Sequence, residues 1–348
     1  MTNIAYLMGA GASAQAIPVV NKLNSRLNIF LQFLLNSGQT HSALVNDLKK
    51  LIKDEKIHFS IDTYARKLYF QNNTDDYKKL KVLLACFFLF EQLNKDANVR
   101  DWVEDIREQE SVSLQVDKRY DSFFASVLEL RDGKIKMPNN INVVSWNYDN
   151  QYEISLNQFL SGDWSSDPMR FVSHPSDEIC PSDSTLTRLN GEAYYHKYIR
   201  EHLGNIYNRL NYDIPLTRES SSAFVLLYET LRKEECPLLN FAWDTDNVYT
   251  DNRVTNARER FSKAEVIVII GYSFPYYNVK IDQAIFSKIS HPTIYIQAPK
   301  DSTEAIESRL HYVLPASVKI KAKIVNTVDQ FFLPPDFFGI SGKTTYSI

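Results

Sequence analysis

Three short apolar runs, IAYLM at residues 4–8, VIVII at 266–270 and TIYIQ at 293–297, each stop at a glycine or a polar side chain. Helical spacing follows each of them: Leu23, Leu27, Phe30, Leu31 and Leu34 within 21–35, then 282–289, then 302–313. Apolar, β-branched runs of this length that alternate with helices predict strands buried on both faces, as in a parallel sheet covered by helices. Residues 141–146, the segment TLTRLNG ending at Gly191, and 318–325 supply further candidate strands. The expected fold is therefore α/β, a Rossmann-like doubly wound parallel sheet. Its core spans about 1–37, 140–191 and 260–330, within a single domain covering 1–348. Residues 38–139 and 192–259 read as helical insertions forming a second lobe, the first carrying a stretch at 77–93 that is apolar nearly all round.

Several classes of function are disfavoured by composition. Thirty-nine basic residues against 42 acidic ones leave a formal charge of −3, without the basic excess that phosphate backbones demand. The longest apolar run, VLLACFFLF at 82–90, is far short of the roughly 20 residues that cross a bilayer. No secretory signal pattern opens the chain, so a cytoplasmic location is expected. Cys86, Cys180 and Cys236 are scattered without a C-x-x-C pair, which argues against a zinc ribbon or a disulfide framework, and no metal is expected.

In doubly wound sheets ligands bind where loops leave the carboxyl ends of strands, and four such places carry polar or glycine residues. At GAGAS, Gly9 and Gly11 permit a tight turn that could cradle a diphosphate, with the following helix adding its N-terminal dipole; in isolation the motif reads as a structural strand-to-helix turn. The acid that a nicotinamide oxidoreductase places about 20 residues later is missing from NIFLQFLLN. At SWNYD, Asn147 and Asp149 suit a carboxamide or a ribose, with Tyr148 as a wall, or else they cap a helix. Asn190 and Gly191 close TLTRL, and Gly271 and Ser273 close VIVIIGYSF; each pair reads as a turn or as part of a ligand site.

Taken together, these motifs resemble the SIR2-like superfamily, the sirtuin-type NAD-binding fold. Gly9-Ala10-Gly11-Ala12-Ser13 through Ile17-Pro18 looks like its phosphate loop, Ser145 to Asp149 like its T-x-N-x-D loop, and Gly271-Tyr272-Ser273 like its ribose loop. Gln297 stands where the family often has an adenine-side asparagine. Three scattered cysteines cannot build the four-cysteine zinc site of the protein deacylases, and VVNKL follows the proline in place of D-F-R. The resemblance is thus to the bacterial branch associated with antiphage defence by NAD+ depletion.

The resemblance implies NAD+ as substrate or bound ligand and cleavage of its nicotinamide–ribose bond to ADP-ribose. It also implies a homo-oligomer or a separate partner subunit, such as an ATPase, an Argonaute-like protein or a phage sensor. The family's L-H-G segment carries a catalytic histidine, and Leu189-Asn190-Gly191 has asparagine in its place. Loss of a general base costs about 10²–10⁴ in rate, so an inert NAD+- or ADP-ribose-binding subunit is the competing expectation. His196, six residues on, is a remote substitute.

Overall fold

A computed structural model describes residues 1–18, 22–55, 58, 60–93, 115–131, 133–160, 172–173, 185–193, 203–210, 212, 216–233, 239–245, 251–318 and 321–339. His196, Cys180 and Cys236 lie outside the described residues. Among the described residues, seven strands form one sheet: β1 (Ile4–Met8), β4 (Ile141–Ser145), β5 (Val172–Ser173), β6 (Leu186–Arg188), β7 (Val266–Ile270), β8 (Thr293–Gln297) and β9 (Lys323–Val325). Their order is β5-β6-β4-β1-β7-β8-β9 and every pairing is parallel, which is the α/β, doubly wound class expected from the alternating runs. Ile4 lies opposite both Ile141 and Val266, and Met8 opposite both Ser145 and Ile270. The chain moves outward from β1 on one side and returns to its other side at β7. The ends of β1 and β7 therefore flank the point where the winding reverses.

The strand pleat sends alternate side chains into two separate cores. Ile4, Tyr6 and Met8 face one, with Val143, Val268 and the helices α5 (Lys118–Val127) and α6 (Gln151–Phe159). Ala5 and Leu7 face the other, with Ile267, Ile269 and helices α9 (Asn252–Ser262), α10 (Val279–Phe286) and α11 (Lys300–Val313). A third core is almost wholly helical. It joins α1 (Leu23–Asn36), α2 (Ala43–Glu55), α3 (Ile61–Phe70), α4 (Thr74–Gln92) and α8 (Ser220–Lys233), with the short α7 (Gly204–Tyr207) beside them. The apolar stretch 82–90 lies inside α4, and its Phe90 stacks on Phe30 of α1 at 4.7 Å.

Three local expectations need correction. No α-helix begins directly behind GAGAS: Ala10–Ser13 makes one 3-10 turn, and α1 starts only at Leu23. The last strand is short, Lys323–Val325, and Val318 N–H closes a turn onto the carbonyl of Pro315 instead of joining it. Between α5 and β4 lies an antiparallel hairpin, β2 (Glu129–Arg131) and β3 (Lys134–Lys136). Its signal was the Asp132-Gly133 pair, a favoured two-residue turn.

The loops leaving β1 and β7 meet backbone to backbone. Gly9 N–H donates to the carbonyl of Ile270 (3.0 Å) and Gly11 N–H to that of Gly271 (2.9 Å). A Cβ on Gly9 would sit 2.7 Å from the Cα of Tyr272, and one on Gly11 2.7 Å from the Cα of Gly271. Gly271 itself has φ +59°, and a Cβ there would lie 2.4 Å from the carbonyl carbon of Gly11. Gly271→Ala should therefore cost about 2–5 kcal/mol, from steric overlap plus a left-handed backbone. Gly38→Ala, with φ +89° but nothing within 4 Å, should cost about 1 kcal/mol. Urea midpoints of the two variants test the contrast.

Candidate functional site

A cleft of about 240 Å³ opens at the carboxyl ends of β1, β4, β6 and β7. Ala10, Ile17, Pro18, Asn147, Tyr148, Asp149, Asn190, Gly271 and Ser273 all line it, so four separate sequence motifs share one cleft. Gly9, Gly11 and Ala12 do not reach it; the two glycines form the seam with the β7 loop. Gln297 is not brought to the cleft. Its amide donates to the carbonyls of Thr327 and Gln330 (both 2.6 Å) and accepts from Phe332 N–H (3.0 Å), fastening the C-terminal segment across β8.

The GAGAS loop offers few free amides for a phosphate. Gly9 and Gly11 N–H are spent on the β7 loop, and Ala12 N–H on the carbonyl of Gly9 (2.8 Å). From below, Arg119 supports the loop by donating to the carbonyls of Gly11 (2.8 Å) and Ala12 (3.2 Å) while paired with Asp117.

Ser13 is fully buried beneath the cleft and ties two of its polar residues together. Its hydroxyl donates to Asp149 Oδ1 (3.0 Å) and accepts from Asn147 Nδ2 (3.1 Å). A hydroxyl has one proton, so the Tyr120 hydroxyl at 3.3 Å donates to it. Asp149 Oδ1 also accepts from Gln151 N–H (3.2 Å), which leaves Oδ2 without a hydrogen-bond partner among the described residues. Burial pushes the Asp149 carboxyl up to about 6, against the opposing pull of Arg188 and these hydrogen bonds.

Arg188, at the end of β6, stiffens the same corner. It donates to Glu153 Oε1 through Nε (3.0 Å) and Nη2 (2.7 Å), and to the carbonyl of Asn147 through Nη1 (3.0 Å). Burial opposes its charge, but Glu153 and then Glu192 hold the guanidinium firmly protonated. Two residues on, Asn190 donates to the carbonyl of Trp146 (3.3 Å), and its Oδ1 is buried without a partner among the described residues. An unpaired buried acceptor costs free energy that a ligand donor would recover.

Further aromatic residues complete the walls. Trp146 stacks on Tyr272 (5.8 Å, 10°), and Asp282 of α10 accepts from both, from Trp146 Nε1 at 3.1 Å and Tyr272 OH at 2.8 Å. Asp62 and Phe88 arrive from helices α3 and α4, Phe241 and Trp243 from the segment 239–245, and Tyr277 from the loop after β7. No Lys, Arg or His lines the cleft among the described residues. No group of three or more potential metal ligands occurs among them, and none of their helices is long and apolar enough to cross a membrane. Comparison with protein-family models, with curated proteins and with solved structures finds no match.

Asp282 gives the site a measurable pH signature. Burial raises its pKa from 3.8 to about 8, so the folded chain holds a proton that the unfolded chain releases. Its contribution to stability is full below about pH 4 and is lost as pH rises through about 8. Asp282→Asn, which cannot ionise, should gain stability relative to the parent by about 1 kcal/mol per pH unit between pH 5 and 8. Urea unfolding at both pH values reads this out, and a pH-independent difference would contradict it.

Proposed function

We propose that this chain binds NAD+ at the strand-end cleft and hydrolyses its nicotinamide–ribose bond. The supporting observation is the set of unspent oxygens on one wall, Asn147 Oδ1, Asp149 Oδ2 and Asn190 Oδ1, in a cleft lined by no cationic side chain among the described residues. Such a wall favours hydrogen-bond donors and positive charge. In the reaction the C1′–N bond breaks, its electron pair moves to the pyridinium nitrogen, and positive charge passes to an oxocarbenium-like ribose. Asn147, with Nδ2 held by Ser13, offers Oδ1 to the carboxamide N–H. Asp149 faces the developing charge, and Asn190 Oδ1 accepts from a ribose hydroxyl. Water adds at C1′ and its proton passes to Asp149 or to solvent, giving ADP-ribose and neutral nicotinamide.

The resemblance to SIR2-like proteins extends this reading to prokaryotic antiphage defence, in which NAD+ depletion aborts infection. On that reading the chain works in the cytoplasm, as a homo-oligomer or beside a partner subunit that senses phage. The second reading, an inert NAD+- or ADP-ribose-binding subunit, is favoured by one observation: Asn190 supplies no titratable proton beside the ribose. The cleft contains no histidine among the described residues to replace it.

Chromatography of nicotinamide released from NAD+ separates the two readings. Asn190→His should raise release by about 10²-fold, and release should increase with pH through about 6 as Asp149 ionises. Binding without release by both parent and variant would support the inert subunit, and absence of NAD+ binding would refute both readings.

A further inference from the structure

One stretch of the cleft lining is aromatic and carries one unpaired acid. Phe88 of α4 lies 5.7 Å from Tyr148, Tyr148 lies 6.3 Å from Phe241, and Phe241 stacks on Trp243 at 4.8 Å with parallel rings. Tyr277 meets the edge of this array, 5.5 Å from Trp243. Asp62, in the first turn of α3, lines the cleft beside these rings, and its carboxylate has no hydrogen bond or ion pair among the described residues.

The position of Asp62 is fixed by its neighbours. Ser60 caps the helix by accepting from Thr63 N–H (3.2 Å), and the Thr63 hydroxyl meets the Tyr277 hydroxyl at 3.1 Å. Arg66 lies one turn further along α3, yet its guanidinium sits over Phe70 (4.5 Å) and Trp243 (4.9 Å) rather than on the acid. Desolvation in the cleft pushes the Asp62 carboxyl up to about 6. An acid left uncompensated beside aromatic faces is suited to a flat cation, which the ring quadrupoles and the carboxylate attract together.

We propose that Asp62 and the Phe88–Tyr148–Phe241–Trp243–Tyr277 wall form a subsite for a planar N-alkylpyridinium cation. The cleft thereby selects the oxidised nicotinamide ring over its neutral reduced form. The identity of that ring rests on the dinucleotide reading above, whereas the cation preference rests on Asp62 and the aromatic wall alone.

Calorimetric titration of the full chain with 1-methylnicotinamide, neutral nicotinamide, NAD+ and NADH tests it, beside Asp62→Asn and Asp62→Glu. The cation should bind roughly tenfold tighter than neutral nicotinamide, in line with partly desolvated cation–π contacts. Asp62→Asn should shrink that gap to the part the rings supply without weakening nicotinamide, and Asp62→Glu should keep more of it. Equal affinity for cation and neutral ring in the parent, no binding of the cation at millimolar concentration, or a gap unchanged in Asp62→Asn would overturn the subsite. NAD+ binding without cation preference would overturn the subsite and leave the dinucleotide reading standing. Asp62-dependent cation binding without NAD+ binding would uphold the subsite and remove that reading.

Discussion

The contact of Gly9 and Gly11 with Gly271 is the constraint from which the cleft follows. Because no Cβ intervenes, the loops after β1 and β7 close on each other, sharing two backbone hydrogen bonds at the switch point of the sheet. That closure places Ser13 underneath, within reach of both Asn147 and Asp149. It also turns Tyr272 against Trp146, so that the β4 and β7 loops share a stacked aromatic pair anchored on Asp282. Phe274 continues the β7 loop with φ 50°, a backbone strain that a bulky residue accepts only when its surroundings hold it.

Charge is distributed unevenly about this seam. Buried cations sit below and behind the cleft: Arg119 under the GAGAS loop with Asp117, and Arg188 behind Asn147 with Glu153. Such pairs return little net stability once desolvation is counted, but they hold loops in one geometry. The acids nearer the cleft are less well compensated, and burial pushes Asp149 to about 6 and Asp282 to about 8. Asp62, in the aromatic part of the lining, is raised to about 6. A ligand that brings positive charge relieves this imbalance, whereas an anion in the same place would worsen it. This electrostatic asymmetry links the proposed reaction and the proposed ring subsite.

The sheet was largely legible because its strands are local signals: VIVII and IAYLM are short, apolar and bounded by glycine, and both are fully buried strands. Asn147, Asp149 and Asn190 were legible for the same reason, as polar residues at strand ends. The role of the glycines was only half legible, since the sequence shows that Gly9 and Gly11 permit close approach but not that the approaching atoms belong to Gly271. Gln297 also ends a strand, yet its amide is consumed by residues some 30 positions later, a pairing no local pattern encodes. Of the aromatic wall only Tyr148 was legible, as a residue between two polar strand-end residues; Phe88 and Phe241, which meet it, lie about 150 residues apart, a pairing no local pattern encodes.

The central claim is that four strand ends hold one nucleotide, and amide hydrogen exchange with and without saturating NAD+ tests it most directly. Concerted slowing in the segments around Ala10–Pro18, Trp146–Asp149, Asn190–Gly191 and Gly271–Asn278 is the predicted result. Unchanged exchange in these segments, or protection confined to a surface away from them, would contradict it.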